Sequence, residues 1–396
     1  MKIGFILTTF PCRTETFALG EIDGLRGLGF DISIFAAAGE PHTNKSNETG
    51  RIYYRPPLFS AEGTKSICCL PARYPLGCCR LIRLILGLVF RCPKEAVTLI
   101  GNLHTIGFFA EKLDEENIFH IHAYFLSWPA VIGTALSVTT NRPFSISAHA
   151  RDIFVEHGDV KTKVSRAKFV ITCTLQGLRF LKSKLPVLYH HKLNLCYHGT
   201  SIVSEYRETK HTGTIIAVGR LVPKKGFETL LRAFASVIKE KPDLKLKIVG
   251  DGPLRSSLTE LIKQLSLAQQ VELSGWRDYQ QTQRLISRAA VLIAPSVKAS
   301  DGDRDGIANV IIEAFANHTP VIASRLEGLE EAAEHRQNAL LVEPGNVTEL
   351  AAAIKELIND EQLQSRLSEA AYETVTRRFD SNKNVRRMAD CFINTN

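Results

Sequence analysis

Long hydrophobic runs are missing from this chain. The longest apolar stretch beside positive charge, Leu84–Phe90 between Arg83 and Arg91, falls far short of the ~20 residues needed to span a bilayer, so no transmembrane helix is expected. Met1–Phe10 is apolar but passes directly into Pro11–Cys12–Arg13, without the length or small-residue cleavage site of a signal peptide, and reads as a buried first strand. Cys-x-x-Cys spacing is missing too. The nine cysteines are an odd number and include the adjacent pairs Cys68–Cys69 and Cys78–Cys79, which argues against a zinc framework and for reduced thiols in the cytoplasm. There is no repeat of solenoid length and no nucleic-acid module. Negative charge is scarce in the first half: residues 1–200 carry 23 Lys+Arg against 15 Asp+Glu, whereas residues 201–396 carry 26 of each. The whole excess of +8 therefore sits in the N-terminal half, where it suits an anionic acceptor or a membrane leaflet.

What is present is an alternation of strand-like apolar runs with helical patterns over 396 residues, enough for two α/β domains. Strands are expected at Lys2–Leu7, Asp31–Ala36, Phe119–His122, Phe144–Ala148 and Phe169–Thr172, with a helix over Phe17–Leu28. A second series, Thr214–Val218, Lys245–Val249, Val271–Ser274, Val291–Ala294 and Pro320–Ala323, reads as five strands, each followed by a turn and a helix. Long helical patterns cover Thr348–Asn359 and Glu361–Phe379. The polar, aperiodic segment 201–212 marks a linker between domains at 1–200 and 213–375, and residues 376–396 read as a segment crossing back to the first domain. The stretch Ala61–Pro93 reads as irregular. Within it, Arg80–Arg91 alternates Arg with Leu, Ile and Val, which fits either a membrane surface or a half-buried helix.

Two constellations carry chemistry. In Val218–Gly226 a turn follows a strand and opens a helix, placing Arg220 and Lys225 at the carboxyl end of the sheet. Guanidinium and ammonium together suit a diphosphate, although such a turn is also ordinary surface structure. In Asp301–Ala316 an acidic loop runs into an apolar helix, so the backbone N–H groups around Gly306, Ile307, Ala308 and Asn309 can receive phosphate oxygens. Glu313 lies about one turn further, where a carboxylate can accept from two vicinal hydroxyls, and Asp305 could meet a sugar hydroxyl. Acidic residues before a helix also serve as plain caps.

The two constellations together, in this order, resemble glycosyltransferase family four, the retaining GT-B enzymes with the group-one domain, and its bacterial exopolysaccharide and capsule branch. The resemblance covers essentially the whole chain. It rests on GRLVPKKG, IVGDGPLRSSL, the SGW turn, APS, DGIANVIIEAFA and the GLEE turn in the second half, and on FPCRTETFALGEIDGLRGLGFDISIFA, HAYF and SAHARDIF in the first. It implies two Rossmann-like, doubly wound parallel-sheet domains facing across a cleft, the first on the acceptor side and the second holding a nucleotide sugar. Arg220 and Lys225 would neutralise the donor diphosphate, Glu313 would hold the ribose and Asp305 the donor sugar. His149, with Asp152 behind it, would orient the sugar or its phosphate, and Thr14 and Glu15 belong to the loop that faces the donor phosphates. The implied reaction moves a hexose, from a UDP-sugar in preference to GDP-mannose, onto a glycan or lipid-linked acceptor. It uses no metal or other cofactor and no protein nucleophile. The implied place is the cytoplasm, at the inner face of the plasma membrane.

Several positions depart from the family pattern. Asp305 stands where Glu is usual, Ser201 where Asp is usual, Tyr124 at a histidine position, and Ala308 and Glu330 at proline positions, with Glu331 left at the expected acidic place. Other readings are a fold-only subunit supporting a partner transferase and a nucleotide-sugar epimerase. An NAD-dependent dehydrogenase is disfavoured, because after Gly250 and Gly252 the third fingerprint glycine is Arg255.

Overall fold

The computed structural model describes residues 1–12, 16–39, 50–156, 158–202 and 211–394. Thr14 and Glu15, and most of the expected linker 201–212, lie outside them. The chain gathers into two compact units, one of Met1–Cys173, Gly177–Cys196 and Val385–Asn396, the other of Thr174–Gln176 and Tyr197–Asn384.

The first unit holds strands β1 (Lys2–Thr9), β2 (Asp31–Ala38), β3 (Ile52–Tyr54), β4 (His120–Tyr124), β5 (Phe144–Ala148), β6 (Val170–Thr172) and β7 (Leu193–Leu195). They form one parallel sheet in the order β3-β2-β1-β4-β5-β6-β7. The central strands β4 and β5 are buried along their whole length, although β4 carries His120 and His122 and β5 carries Ser145 and Ser147 between their apolar residues. One face is covered by a core containing Leu81, Leu88, Leu99, Phe109 and Ile132. The other face packs Ile22, Leu25, Phe169 and the helix Ser381–Ile393, whose Val385, Met388, Ala389 and Phe392 repeat at helical spacing. Within β4, His122 bonds Ser145 and Ser147 and His120 bonds Ser145, at 2.7–3.0 Å. Burial pushes His120 down to about 3, helped by Lys168, and holds His122 well below its ordinary value.

The second unit holds β8 (His211–Val218), β9 (Lys245–Val249), β10 (Val271–Gly275), β11 (Ala289–Ala294), β12 (Val321–Ser324) and β13 (Leu340–Val342), again parallel, in the order β10-β9-β8-β11-β12-β13. Helices Phe227–Val237 and Val347–Asn359 cover one face through Leu230, Phe234, Leu350 and Ile354. Helix Asn309–Ala316 covers the other through Ile311, Ile312 and Phe315. In both sheets the order reverses beside the first strand, between β1 and β4 and between β8 and β11. The crevice at the carboxyl ends of such a pair is where doubly wound sheets take ligands.

The expected strands are all present, with ends shifted by a few residues. Three strands of three residues each, β3, β7 and β13, were not expected. The chain leaves β12 through turns into β13, and not through a helix. The stretch Ala61–Pro93 is not irregular: it forms the helices Ala61–Arg73 and Pro75–Arg91, followed by Pro93–Gly101. Pro75 and Pro93 occupy first helical positions, where the missing N–H would have had no intrahelical partner, so these prolines start helices where the sequence suggested breaks. No helix among the described residues is long and apolar enough to cross a membrane.

Candidate active site

Beyond β8 the chain passes Arg220 and closes into a short 3-10 turn, Pro223–Lys225, ended by Gly226. Gly226 has φ +64°, and a Cβ there would lie 1.9 Å from the Pro295 carbonyl oxygen beyond β11. Only a residue without a side chain lets the two strand-end loops meet. The Val297 N–H donates to the Lys224 carbonyl at 2.8 Å and fixes the same contact.

That approach brings two lysines onto two aspartates. Lys224 Nζ lies 3.0 Å from Asp303 Oδ1 and 3.6 Å from Asp305 Oδ1. Lys225 Nζ donates to Asp305 Oδ2 at 2.8 Å, and Ser296 Oγ donates to the same oxygen at 2.7 Å. Asp305 is buried. Burial by itself would raise its carboxyl, but the ammonium groups of Lys225 and Lys224 and the Ser296 hydroxyl outweigh it and hold the group below the usual carboxylate range. Removing one member of such a buried pair costs about 3–5 kcal/mol, because it strands the other charge. Arg220, in contrast, is exposed at the end of β8.

Helix Asn309–Ala316 starts beside this network. Its N-cap is Ala308, which offers no side-chain acceptor, so Asp305 is not a cap but half of an ion pair. Gly306 and Ala308 are buried and Ile307 and Asn309 half-buried, which leaves the first backbone N–H groups of the helix without side-chain capping. One turn on, Glu313 Oε2 accepts from Gln283 Nε2 at 3.0 Å. Burial pushes the Glu313 carboxyl up to about 7, against the lowering influence of Gln283 and of Lys225. Lys225 thus acts on both Asp305 and Glu313.

Gly250 and Gly252 have a different task from a dinucleotide fingerprint. A Cβ on Gly250, which has φ +139°, would lie 2.0 Å from the Gly219 carbonyl oxygen, so the glycine lets this loop pack on the turn that carries Arg220.

His149 belongs to the first unit, buried among the rings of Phe17, Tyr124 and Phe125 at 4.7–5.4 Å between centroids. Asp152 takes the His149 backbone N–H at 2.6 Å and the Leu126 N–H on its other oxygen, capping the helix Ala150–Phe154. Burial raises its carboxyl to about 7.

Sequence reasoning passed over Lys224, Asp303, Ser296 and Gln283. Ser296 carried a faint signal, as the residue just past a strand end. Gln283 carried none, being one polar residue among several on the helix Tyr279–Arg288.

The family model described as glycosyl transferases group 1 matches residues 201–374. The lipopolysaccharide core biosynthesis glycosyltransferase LpsE of Rhizobium meliloti (strain 1021) is 29% identical over 229 residues, 56% of this chain and 64% of that protein, so the chain spans slightly less than two thirds of that relative's length. The N-acetyl-alpha-D-glucosaminyl L-malate synthase of Bacillus anthracis is 30% identical over 324 residues, 75% of this chain and 78% of that protein. The crystal structure of Anabaena Alr3699/HepE in complex with UDP-glucose superposes with a TM-score of 0.75 at 19% identity, covering 100% of both chains. The two doubly wound parallel sheets are thus those of a GT-B protein. The chain belongs to the group 1 glycosyltransferases, the resemblance read from its Arg/Lys turn and acidic helix start.

Proposed function

We propose that this chain transfers a hexose from a nucleotide sugar, a UDP-sugar in preference to GDP-mannose, to a growing, lipid-linked surface glycan in the cytoplasm, with retention at the anomeric carbon. The observation that carries the reading is Lys225, 2.8 Å from Asp305 and electrostatically coupled to Glu313 at the switch point between β8 and β11. A diphosphate seated there meets Arg220 and Lys225 on one side and the backbone N–H groups of Gly306, Ile307, Ala308 and Asn309 on the other. Glu313 accepts from the ribose hydroxyls. Asp305 orients Lys225 and keeps lone pairs for a hydroxyl of the transferred sugar. In the transfer, the bond from the anomeric carbon to the phosphate oxygen breaks, the acceptor oxygen bonds that carbon on the same face, and its proton passes to the departing phosphate. The negative charge developing on that phosphate is met by fixed cations and helix N–H groups, so the reaction needs no metal and no other cofactor. The name of LpsE supports a surface glycan as acceptor class, and the UDP-glucose of the HepE complex supports a uridine donor.

Thermal shift with UDP, GDP and their sugars tests the donor site. A ligand at 100 times its Kd adds about 2.7 kcal/mol to the folded state, a rise of roughly 5–10 °C for a unit of this size. UDP should give that rise in the presence of EDTA, and Arg220→Ala and Glu313→Ala should abolish it. Stabilisation unchanged in both variants would sink the site, and a larger effect of GDP-mannose would overturn the uridine preference. Anomeric configuration of the transferred sugar, read by NMR, decides retention.

A further inference from the structure

The helix Pro75–Arg91 carries apolar side chains on its exposed side as well as its buried one, interrupted there by Arg80, Arg83 and Arg91. One side, with Gly77, Leu81 and Leu88, is buried in the first unit. The other leaves Leu76, Ile82, Leu86 and Phe90 at 74%, 57%, 58% and 88% exposure. Positions 79, 82, 83, 86 and 90 recur at steps of three and four and so form one stripe. The next helix, Pro93–Gly101, adds exposed Val97 and Ile100. A surface helix of an ordinary soluble domain turns polar residues outward, and an apolar stripe is normally covered.

Charge identifies what covers this one. Residues 63–94 contain six cations (Lys65, Arg73, Arg80, Arg83, Arg91 and Lys94) and no Asp or Glu. Arg83 lies within the stripe, and neither it nor Lys94 stands in an ion pair among the described residues. A second copy docked on this face about a two-fold axis would set arginine against arginine with no carboxylate in the segment to relieve them. The helix has 17 residues and lies along the surface of its unit, so it suits a position in the plane of a membrane interface and not across it.

We propose that this face docks the protein on an anionic lipid bilayer, with Leu76, Ile82, Leu86 and Phe90 entering the boundary between headgroups and acyl chains and Arg83 and Lys94 meeting the lipid phosphates. The face goes beyond the proposed transfer reaction and requires nothing of the donor site, so its failure leaves that reading untouched.

Co-sedimentation of the full chain with phosphatidylcholine vesicles, with and without phosphatidylglycerol, tests it. Binding should require phosphatidylglycerol and weaken with added salt. Arg83→Gln should weaken it roughly fivefold, and the double variant Leu86→Ser/Phe90→Ser on the order of tenfold or more, with an unchanged melting temperature because both side chains are exposed. Absence of binding to anionic vesicles, equal binding to neutral ones, or wild-type binding by the variants would overturn the proposal. A concentration-dependent dimer in light scattering, lost in the double variant and unaccompanied by vesicle binding, would overturn it in favour of a second copy. If the double variant does not fold, Arg83→Gln and the salt dependence decide the matter.

Discussion

Glu313→Gln should make the unliganded protein more stable while destroying its proposed donor site. The Glu313 carboxyl rises from its ordinary 4.5 to about 7 in the folded chain. A carboxyl raised in this way favours the folded state fully below pH 4.5, and that advantage is lost as pH climbs through about 7. At pH 8 the ionised, half-buried Glu313 therefore costs the fold about 3 kcal/mol, at about 1.4 kcal/mol for each pH unit between the two values. Glutamine keeps an oxygen to accept the 3.0 Å bond from Gln283 Nε2 and carries no charge to desolvate. Circular dichroism melts at pH 8 should place the variant roughly 6–12 °C above wild type. At pH 5 the gap should shrink to less than about 1 kcal/mol, because most wild-type molecules are then protonated at this position. UDP should no longer raise the melting temperature of the variant at either pH. A variant no more stable than wild type at pH 8, or equally stabilised at pH 5 and pH 8, would refute the assignment of a strained, ligand-awaiting carboxylate.

The Lys225–Asp305 pair should show itself in a double-mutant cycle. Lys225→Met or Asp305→Asn alone should each cost about 3 kcal/mol, and the double variant should recover on the order of 2 kcal/mol as coupling; strictly additive losses in urea unfolding would separate the two side chains. His120 and His122 should remain neutral down to pH 5, since the one is held to about 3 and the other well below its usual value. Their contribution to stability is complete above pH 6.5 and is lost as pH falls toward about 3, because the unfolded chain takes up protons that the folded one refuses. Histidine ring resonances in NMR report this directly, and a midpoint near 6.5 for either residue would contradict the buried serine network.

The strands that could be read were those long enough to leave an apolar signature. β11 is buried on both faces and is apolar throughout, while β4 and β5 are buried as deeply but carry His120, His122, Ser145 and Ser147, which bond one another across the two strands. At three residues each, β3, β7 and β13 left no pattern, unlike the equally short β6 with Phe169 before it, and their place follows from the register of β2, β6 and β12 beside them. The helix Pro75–Arg91 was read as one of two alternatives and only over Arg80–Arg91, because Pro75 at its start is ordinarily taken as a break and its exposed side mixes arginine with apolar residues. That second property is informative in itself, because the exposed side had to be explained by something outside the unit.

At the site, the sequence displayed the residues but not their pairing. Lys225 and Asp305 looked like separate groups for separate parts of a donor, since 80 positions divide them. They meet only because β8 and β11 become neighbours where the strand order reverses, and because Gly226 lets the two loops touch. The meeting changes the electrostatics of the proposed reaction. Lys224 and Lys225 face Asp303 and Asp305, two cations against two carboxylates, with Glu313 poised near pH 7 to become a third carboxylate. A diphosphate arriving at Lys225 competes with Asp305 for its ammonium. It therefore depends on exposed Arg220 and on the uncapped start of helix Asn309–Ala316 for the remaining compensation. The shorter Asp305 fits this balance: with Ser296 and two lysines already bound to it, its first task is to hold Lys225 in place, and contact with the sugar is secondary.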